Sequence, residues 1–137
     1  MPYSGPCYWK KLRVITTSVT KRYEDALKPY GIAINQYCIL SNINKMNTPS
    51  TSALANAIEL DRTTLVRTLA PLEKRGLIRD TSSLKSRDRA LELTEEGKAL
   101  LEKARTSWQS VQTDVEQLFG AENIAAIESM ITILHDE

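Results

Sequence analysis

Apolar residues recur every three or four positions along most of this chain, the spacing that places them on one face of an α-helix. Tyr8, Leu12, Ile15, Val19, Tyr23, Ala26 and Leu27 predict a long first helix from Tyr8 to about Lys28. Pro29 and Gly31 end it, because proline cannot continue the hydrogen-bond ladder and glycine suits a left-handed cap. Tyr37, Leu40 and Ile43 predict a second helix over roughly Ala33 to Met46. Ser50, Thr51 and Ser52 offer N-caps to a short third helix, Ala53 to Glu59, with Leu54 and Ile58 inward. Asp61 caps a fourth, which runs to about Arg75 with Leu65, Leu69 and Leu72 on one face and Gly76 closing it. Pro71 lies inside that helix and predicts a bend or loosened turn, since its ring crowds the Arg67 carbonyl.

The pattern then changes. Leu77 to Arg79 and Ala90 to Leu93 read as two short strands around a polar, basic loop. Thr94 caps a long helix to Phe119, in which Leu101, Ala104, Trp108, Val111, Val115 and Leu118 repeat at about 3.5 residues, a coiled-coil-like seam. Gly120 breaks it, and a last helix from Ala121 to Leu134 presents Ile124, Ile127, Ile131 and Leu134. The fold class is mainly α with a small β-wing: a winged helix-turn-helix between N- and C-terminal helices.

With 42% hydrophobic and 26% charged residues in 137, the chain has a globular composition. It has no apolar run of about 18 residues that would span a membrane. MPYSGPCYWKK at the start lacks a signal-peptide stretch, so the cytoplasm is the expected compartment. The net charge of +1 hides a segregation, with +5 over 1–50, +2 over 51–93 and −6 over 94–137. That distribution fits an anionic partner for one part of the chain only. Catalytic chemistry is poorly provided for. Cys7 and Cys38 are far apart, His135 is the only histidine, and the glycines are scattered singly. No zinc set, Ser-His-Asp system or phosphate loop can be assembled from them, so neither an enzyme nor a metal or cofactor is expected.

The fourth helix carries the functional signal. Opposite its leucines it presents Arg62, Thr63, Arg67 and Thr68, with Thr64 between the two faces. Arginine pairs bidentately with guanine in the major groove, and threonine bonds a base edge or contacts a thymine methyl. The hydroxyls of Thr51 and Ser52, at a helix N-terminus, suit phosphate oxygens. A solvated polar face is the competing reading. A capped helix before it and a basic hairpin after it weigh toward DNA.

The stretch LANAIELDRTTLVRTLAPLEKRGLI (54–78), followed by RALELTEEGKALL (89–101), closely resembles the MarR family of bacterial transcriptional regulators. LKPYGIAINQYCIL (27–40) is similar to that family's join between its first two helices. The resemblance implies an obligate homodimer on a palindromic operator, usually acting as a repressor. Residues 1–32 and 94–137 would dimerise. Residues 33–93 would form the DNA-binding region, with the recognition helix in the major groove and the wing in the minor groove. The family's wing carries Asp-x-Arg before its second strand. Aligned on Leu93 and Thr94, the arginine is Arg87, but the aspartate position holds Lys85. Either Asp88 substitutes from a shifted loop, or the wing is more mobile and more basic. Arg87 is the first minor-groove candidate and Arg89 the second.

The resemblance also implies a switch, either a small aromatic anion bound between the two regions or oxidation of a cysteine. Trp9, Arg13, Tyr37 and Trp108 are the candidate ligand residues, because an apolar cleft with one arginine suits an aromatic carboxylate; plain packing competes. Cys7 is the redox candidate, at a helix start beside Lys10 and Lys11, with an inert surface thiol as the alternative. Cys38 reads as packing. The expected twofold interface buries Trp108, Val111, Ile127, Ile131 and Leu134. From a different class, a winged-helix protein-interaction module without DNA binding would lack the steep salt dependence of phosphate contacts.

Overall fold

The computed structural model describes residues 6–82 and 88–136. Helix α1, Tyr8–Leu27, passes into a 3-10 turn at Lys28–Tyr30, and Gly31 at φ +68° turns the chain into α2, Ile34–Met46. The α2 N-terminus is capped from two sides. Gln36 Oε1 accepts from the Ala33 N–H at 2.8 Å, and Glu24 Oε1 reaches across from α1 to accept from the Ile34 N–H at 3.1 Å.

Helix α3, Thr51–Ile58, begins two residues before the expected start, because Ser50 is the residue that caps it, accepting from the Ala53 N–H at 3.0 Å. Asp61 caps α4, Arg62–Lys74, as expected. The helix is continuous through Pro71, which lacks the N–H that would bond the Arg67 carbonyl but still accepts from the Arg75 N–H at 3.0 Å. Burial of Leu69 and Leu72 on either side holds the turn in place. Strands β1, Ile78–Asp80, and β2, Leu91–Leu93, pair antiparallel with Ile78 opposite Leu93 and Asp80 opposite Leu91. A bridge from Ala90 to Ser50 joins this wing to the start of α3.

Leu27, Ile39, Leu40, Leu54, Leu65, Leu69, Leu72, Leu91 and Leu101 are fully buried in one core, drawn from the end of α1, the helix-turn-helix, the wing and the first turns of α5, Glu95–Phe119. Thr94 fixes the start of α5 by accepting from the Gly97 N–H at 3.0 Å and donating to the Gly76 carbonyl at 2.6 Å. Gly97 is required there, since a Cβ would lie 2.0 Å from the Leu77 carbonyl oxygen.

Helices α1 and α5 run antiparallel: Tyr30 meets Ser107 at 2.9 Å and Tyr23 donates to Gln112. This register places Trp108 and Val111 inside the protomer. Trp108 packs on the core and Val111 is 6% exposed, so the expectation that both belong to an intersubunit face is corrected. By contrast, residues 8–18 of α1 are all exposed, and α6, Ala121–His135, has no buried residue. Its end returns toward the reading head, with His135 Nε2 2.8 Å from Glu59 Oε1. Among the described residues, no helix is long and apolar enough to cross a membrane.

Candidate nucleic-acid interface

The orientation of α4 is fixed from both sides. Leu65, Leu69 and Leu72 lock its inner face, while the Asp61 carboxylate closes its first turn on the Thr64 N–H at 3.3 Å and hydroxyl at 3.1 Å. These Thr64 bonds hold the Asp61 carboxyl below its usual pKa. Arg62, Thr63 and Arg67 are left exposed. Thr64 and Thr68 are half-buried, and the Thr68 hydroxyl donates to the Thr64 carbonyl at 2.8 Å. Of the five candidates on this helix, three face outward and two have their hydroxyls engaged, Thr64 by the Asp61 cap and Thr68 by the Thr64 carbonyl.

Ser52 joins three elements. Its N–H and hydroxyl donate to Asp88 Oδ1 at 3.2 and 3.4 Å, and Arg62 Nη1 donates to its oxygen at 3.5 Å. Asp88 thereby links the base of the wing to α3, three positions after Lys85. Thr51 does not join the polar surface. It is 1% exposed, with its hydroxyl buried and unbonded. The cause is the cap at Ser50: successive helical residues are about 100° apart around the axis, so Thr51 faces the core and Ser52 faces out.

The wing base is clamped by Arg89. Its guanidinium bonds both oxygens of Glu73 on α4 and donates to Asp80 Oδ2 at 2.9 Å. Asp80 also accepts from the Ser82 hydroxyl at 2.6 Å, the Ser82 N–H at 2.9 Å and the Ala90 N–H at 3.2 Å. The Ser82 hydroxyl first, then Arg89, drive the Asp80 carboxyl far below the ordinary carboxylate range. Hydrogen bonds to Glu73, and then to Asp80, raise the pKa of Arg89 further above its ordinary value. Arg89 is therefore committed to holding the wing on the recognition helix, not available as a second groove-reading cation. Lys85 and Arg87 lie outside the described residues.

The four ligand candidates form two separate pairs. Trp9 is 64% exposed, with the Arg13 guanidinium 4.8 Å from its ring. Tyr37 is buried and stacks on Trp108 at 5.4 Å between ring centroids. Tyr23 meets α5 at Gln112, one turn after Trp108, and Trp9 lies 14 positions before Tyr23, roughly 21 Å along the helix. One protomer thus has no single cleft holding all four. The cation beside Tyr37 is Arg105, which opposes the upward push of burial on the phenol pKa. Cys7 is exposed at the N-cap of α1, its carbonyl accepting from the Lys11 N–H at 3.2 Å. Cys38 is half-buried, and burial raises its thiol pKa.

Arg75 was not among the sequence candidates. It donates to the Gly31 carbonyl at 2.8 Å and the Tyr30 carbonyl at 3.3 Å, tying the end of α4 to the α1–α2 turn. A basic residue just past a helix C-terminus was the available signal. Arg105 carried no such signal, since its role depends on which α5 face meets α2.

A reading helix buried on one side, a preceding helix pinned to it and a clamped two-stranded wing define a winged helix-turn-helix regulator. The chain belongs to the MarR family of DNA-binding transcriptional regulators, whose family model matches residues 32–87. It is 30% identical over 118 residues to the HTH-type transcriptional regulator SarZ of Staphylococcus epidermidis, covering 85% of this chain and 74% of SarZ. The M. tuberculosis transcriptional regulator MosR, solved in complex with DNA, aligns with a TM-score of 0.77 and 29% identity over 93% of this chain and 98% of MosR. The transcriptional repressor CouR, bound to a 23-mer DNA duplex, shares the fold with a TM-score of 0.81 at 23% identity, over 94% of this chain and 92% of CouR.

Proposed function

We propose that this protein is a cytoplasmic homodimer that binds a palindromic operator, with one α4 per half-site in the major groove. The observation that carries this reading is the division of α4 between three fully buried leucines and an exposed face bearing Arg62, Thr63 and Arg67. Ser52 and the clamped wing flank that face, positioned for phosphates on either side.

The second copy is supported by what one copy leaves uncovered. Tyr8, Trp9, Leu12 and Ile15 on α1 and Met130, Ile131, Ile133 and Leu134 on α6 are exposed. The exposed start of α1, residues 8–18, amounts to about three helical turns without a buried residue, a length that is marginal in water without packing. The charges at the two ends of the chain are complementary: residues 8–15 carry Lys10, Lys11 and Arg13 and no acid, whereas Asp114, Glu116, Glu122, Glu128 and Asp136 lie along α5 and α6. We therefore place the α1 arm of one protomer against the acidic C-terminal helices of the other.

The test is a duplex selected by the protein from a random pool, titrated by fluorescence anisotropy at several salt concentrations. Affinity should fall by roughly 0.9 log unit per log unit of salt for each phosphate neutralised. Arg67→Ala should abolish preference for the selected duplex. A monomeric mass in sedimentation at micromolar concentration, or salt-independent binding, would overturn the operator model.

A further inference from the structure

Val66 is 46% exposed on α4, whose other large apolar residues are fully buried. Every other exposed large apolar residue among those described lies on α1, α6 or the last turn of α5, the surfaces assigned above to the second copy. Val66 lies on none of those three elements. It sits one turn after Arg62, beside Arg67 and one turn before the exposed Ala70. Helix stability does not account for it, since a β-branched residue is a poorer helix former than alanine. Nor does core packing, because its methyls are outside the core.

We propose that Val66 determines specificity by reading a thymine methyl group in each half-site. This rests on the reading of α4 as the groove-facing helix. In the major groove, thymine is the base that presents a C5 methyl; guanine shows two acceptors at this edge, and cytosine an amino donor. Valine has neither donor nor acceptor. Packed against guanine or cytosine, it would leave a base-edge polar group without its water, whereas against thymine it buries methyl on methyl. In a helix, the valine side chain has one dominant χ1 rotamer, so both methyls are held in a fixed direction and little ordering remains to be done on binding. Arg62 and Arg67 on either side supply the polar contacts that orient the helix, and the small Ala70 leaves the base edge room to approach.

The closing experiment replaces thymines of the selected duplex by uracil, one symmetric pair at a time. Uracil lacks only the methyl and keeps every hydrogen-bonding group. Wild-type protein should lose roughly fourfold affinity per half-site, about 15-fold for the pair, at one thymine position. Val66→Ala should bind thymine and uracil duplexes equally at that position. Its thermal unfolding should match or exceed that of the wild type, because alanine is the better helix former. If no thymine position shows a penalty that Val66→Ala removes, while Arg67→Ala still abolishes selective binding, the methyl-reading role is overturned and α4 remains the reading helix. If Arg67→Ala and Val66→Ala both bind like wild type, α4 is not the reading helix and both readings fall.

Discussion

Arg89, two residues before the second wing strand, bonds both carboxylate oxygens of Glu73 on α4. The pair couples the wing to α4 across 16 positions of sequence, and both side chains are about three-quarters or two-thirds covered, at 26% and 33% exposure. The charges are partly shielded from water but still screened, which places their worth between that of a surface pair and that of a buried one. Arg89→Ala should therefore lower unfolding free energy by about 1–2 kcal/mol in urea denaturation. It should also weaken duplex binding, although the Arg89 guanidinium is engaged by Glu73 and Asp80. Glu73→Gln should weaken binding in the same direction while leaving the DNA-facing charge otherwise intact. Unchanged binding in both variants would show that the clamp does not position the wing.

Asp80 gives the same clamp a pH dependence. Its folded carboxyl is held well below the ordinary value of 3.8 by Ser82 and Arg89. A carboxyl more acidic when folded than when unfolded stabilises the fold in its charged form. That contribution is complete above the unfolded pKa and is lost as pH falls from about 3.8 toward the depressed folded value. Asp80→Asn should flatten the acid limb of a stability–pH curve below pH about 4 and leave its shape near neutrality unchanged. An acid limb identical in wild type and variant would contradict this assignment.

Gly97 lies where α5 crosses the strand that leads into the wing. Its position is dictated by contact and not by backbone freedom, for a Cβ would stand 2.0 Å from the Leu77 carbonyl oxygen. That is an overlap with backbone, which cannot rotate away. Gly97→Ala should cost about 1–3 kcal/mol despite its higher helix propensity, measured by thermal or urea unfolding. A stabilised Gly97→Ala protein would mean that α5 can shift along the wing without penalty.

The sequence made the reading head legible because its determinants are local. Leucines 65, 69 and 72 repeat on a helical period, Asp61 is a strong cap, and the strands alternate between two polar boundaries. Thr51 shows where such reading stops. Ser50, Thr51 and Ser52 are nearly equivalent caps, and which of them takes the role decides which hydroxyl is buried. The ligand candidates fall into two separate pairs for a different reason. Periodicity gives the inward face of α1 and of α5 but not their relative slide, and it is that slide, fixed by Tyr23 and Tyr30, that separates Trp9 from Trp108. Arg89 was legible as a basic wing residue, but not as a partner of Glu73, because that pairing requires the wing to fold back on α4.

The α1 arm yields the last prediction, in which apolar and charged contributions can be separated. In the proposed dimer, burying Trp9, Leu12 and Ile15 would supply most of the association energy, since a large apolar side chain contributes about 1.5–3 kcal/mol when fully covered. Exposed ion pairs contribute about 0–1 kcal/mol each and are screened by salt. Leu12→Asp should thus convert the dimer to monomer at micromolar concentration, because it removes an apolar contact and places an acid facing acids. Lys10→Glu, Lys11→Glu and Arg13→Glu combined should weaken dimerisation by roughly tenfold at low salt, with the difference shrinking at about 0.5 M salt. Sedimentation equilibrium at both ionic strengths measures each effect. A triple variant that dimerises as wild type at low salt would show that the acidic helices do not receive the arm. A dimeric Leu12→Asp protein would show that α1 lies outside the interface altogether.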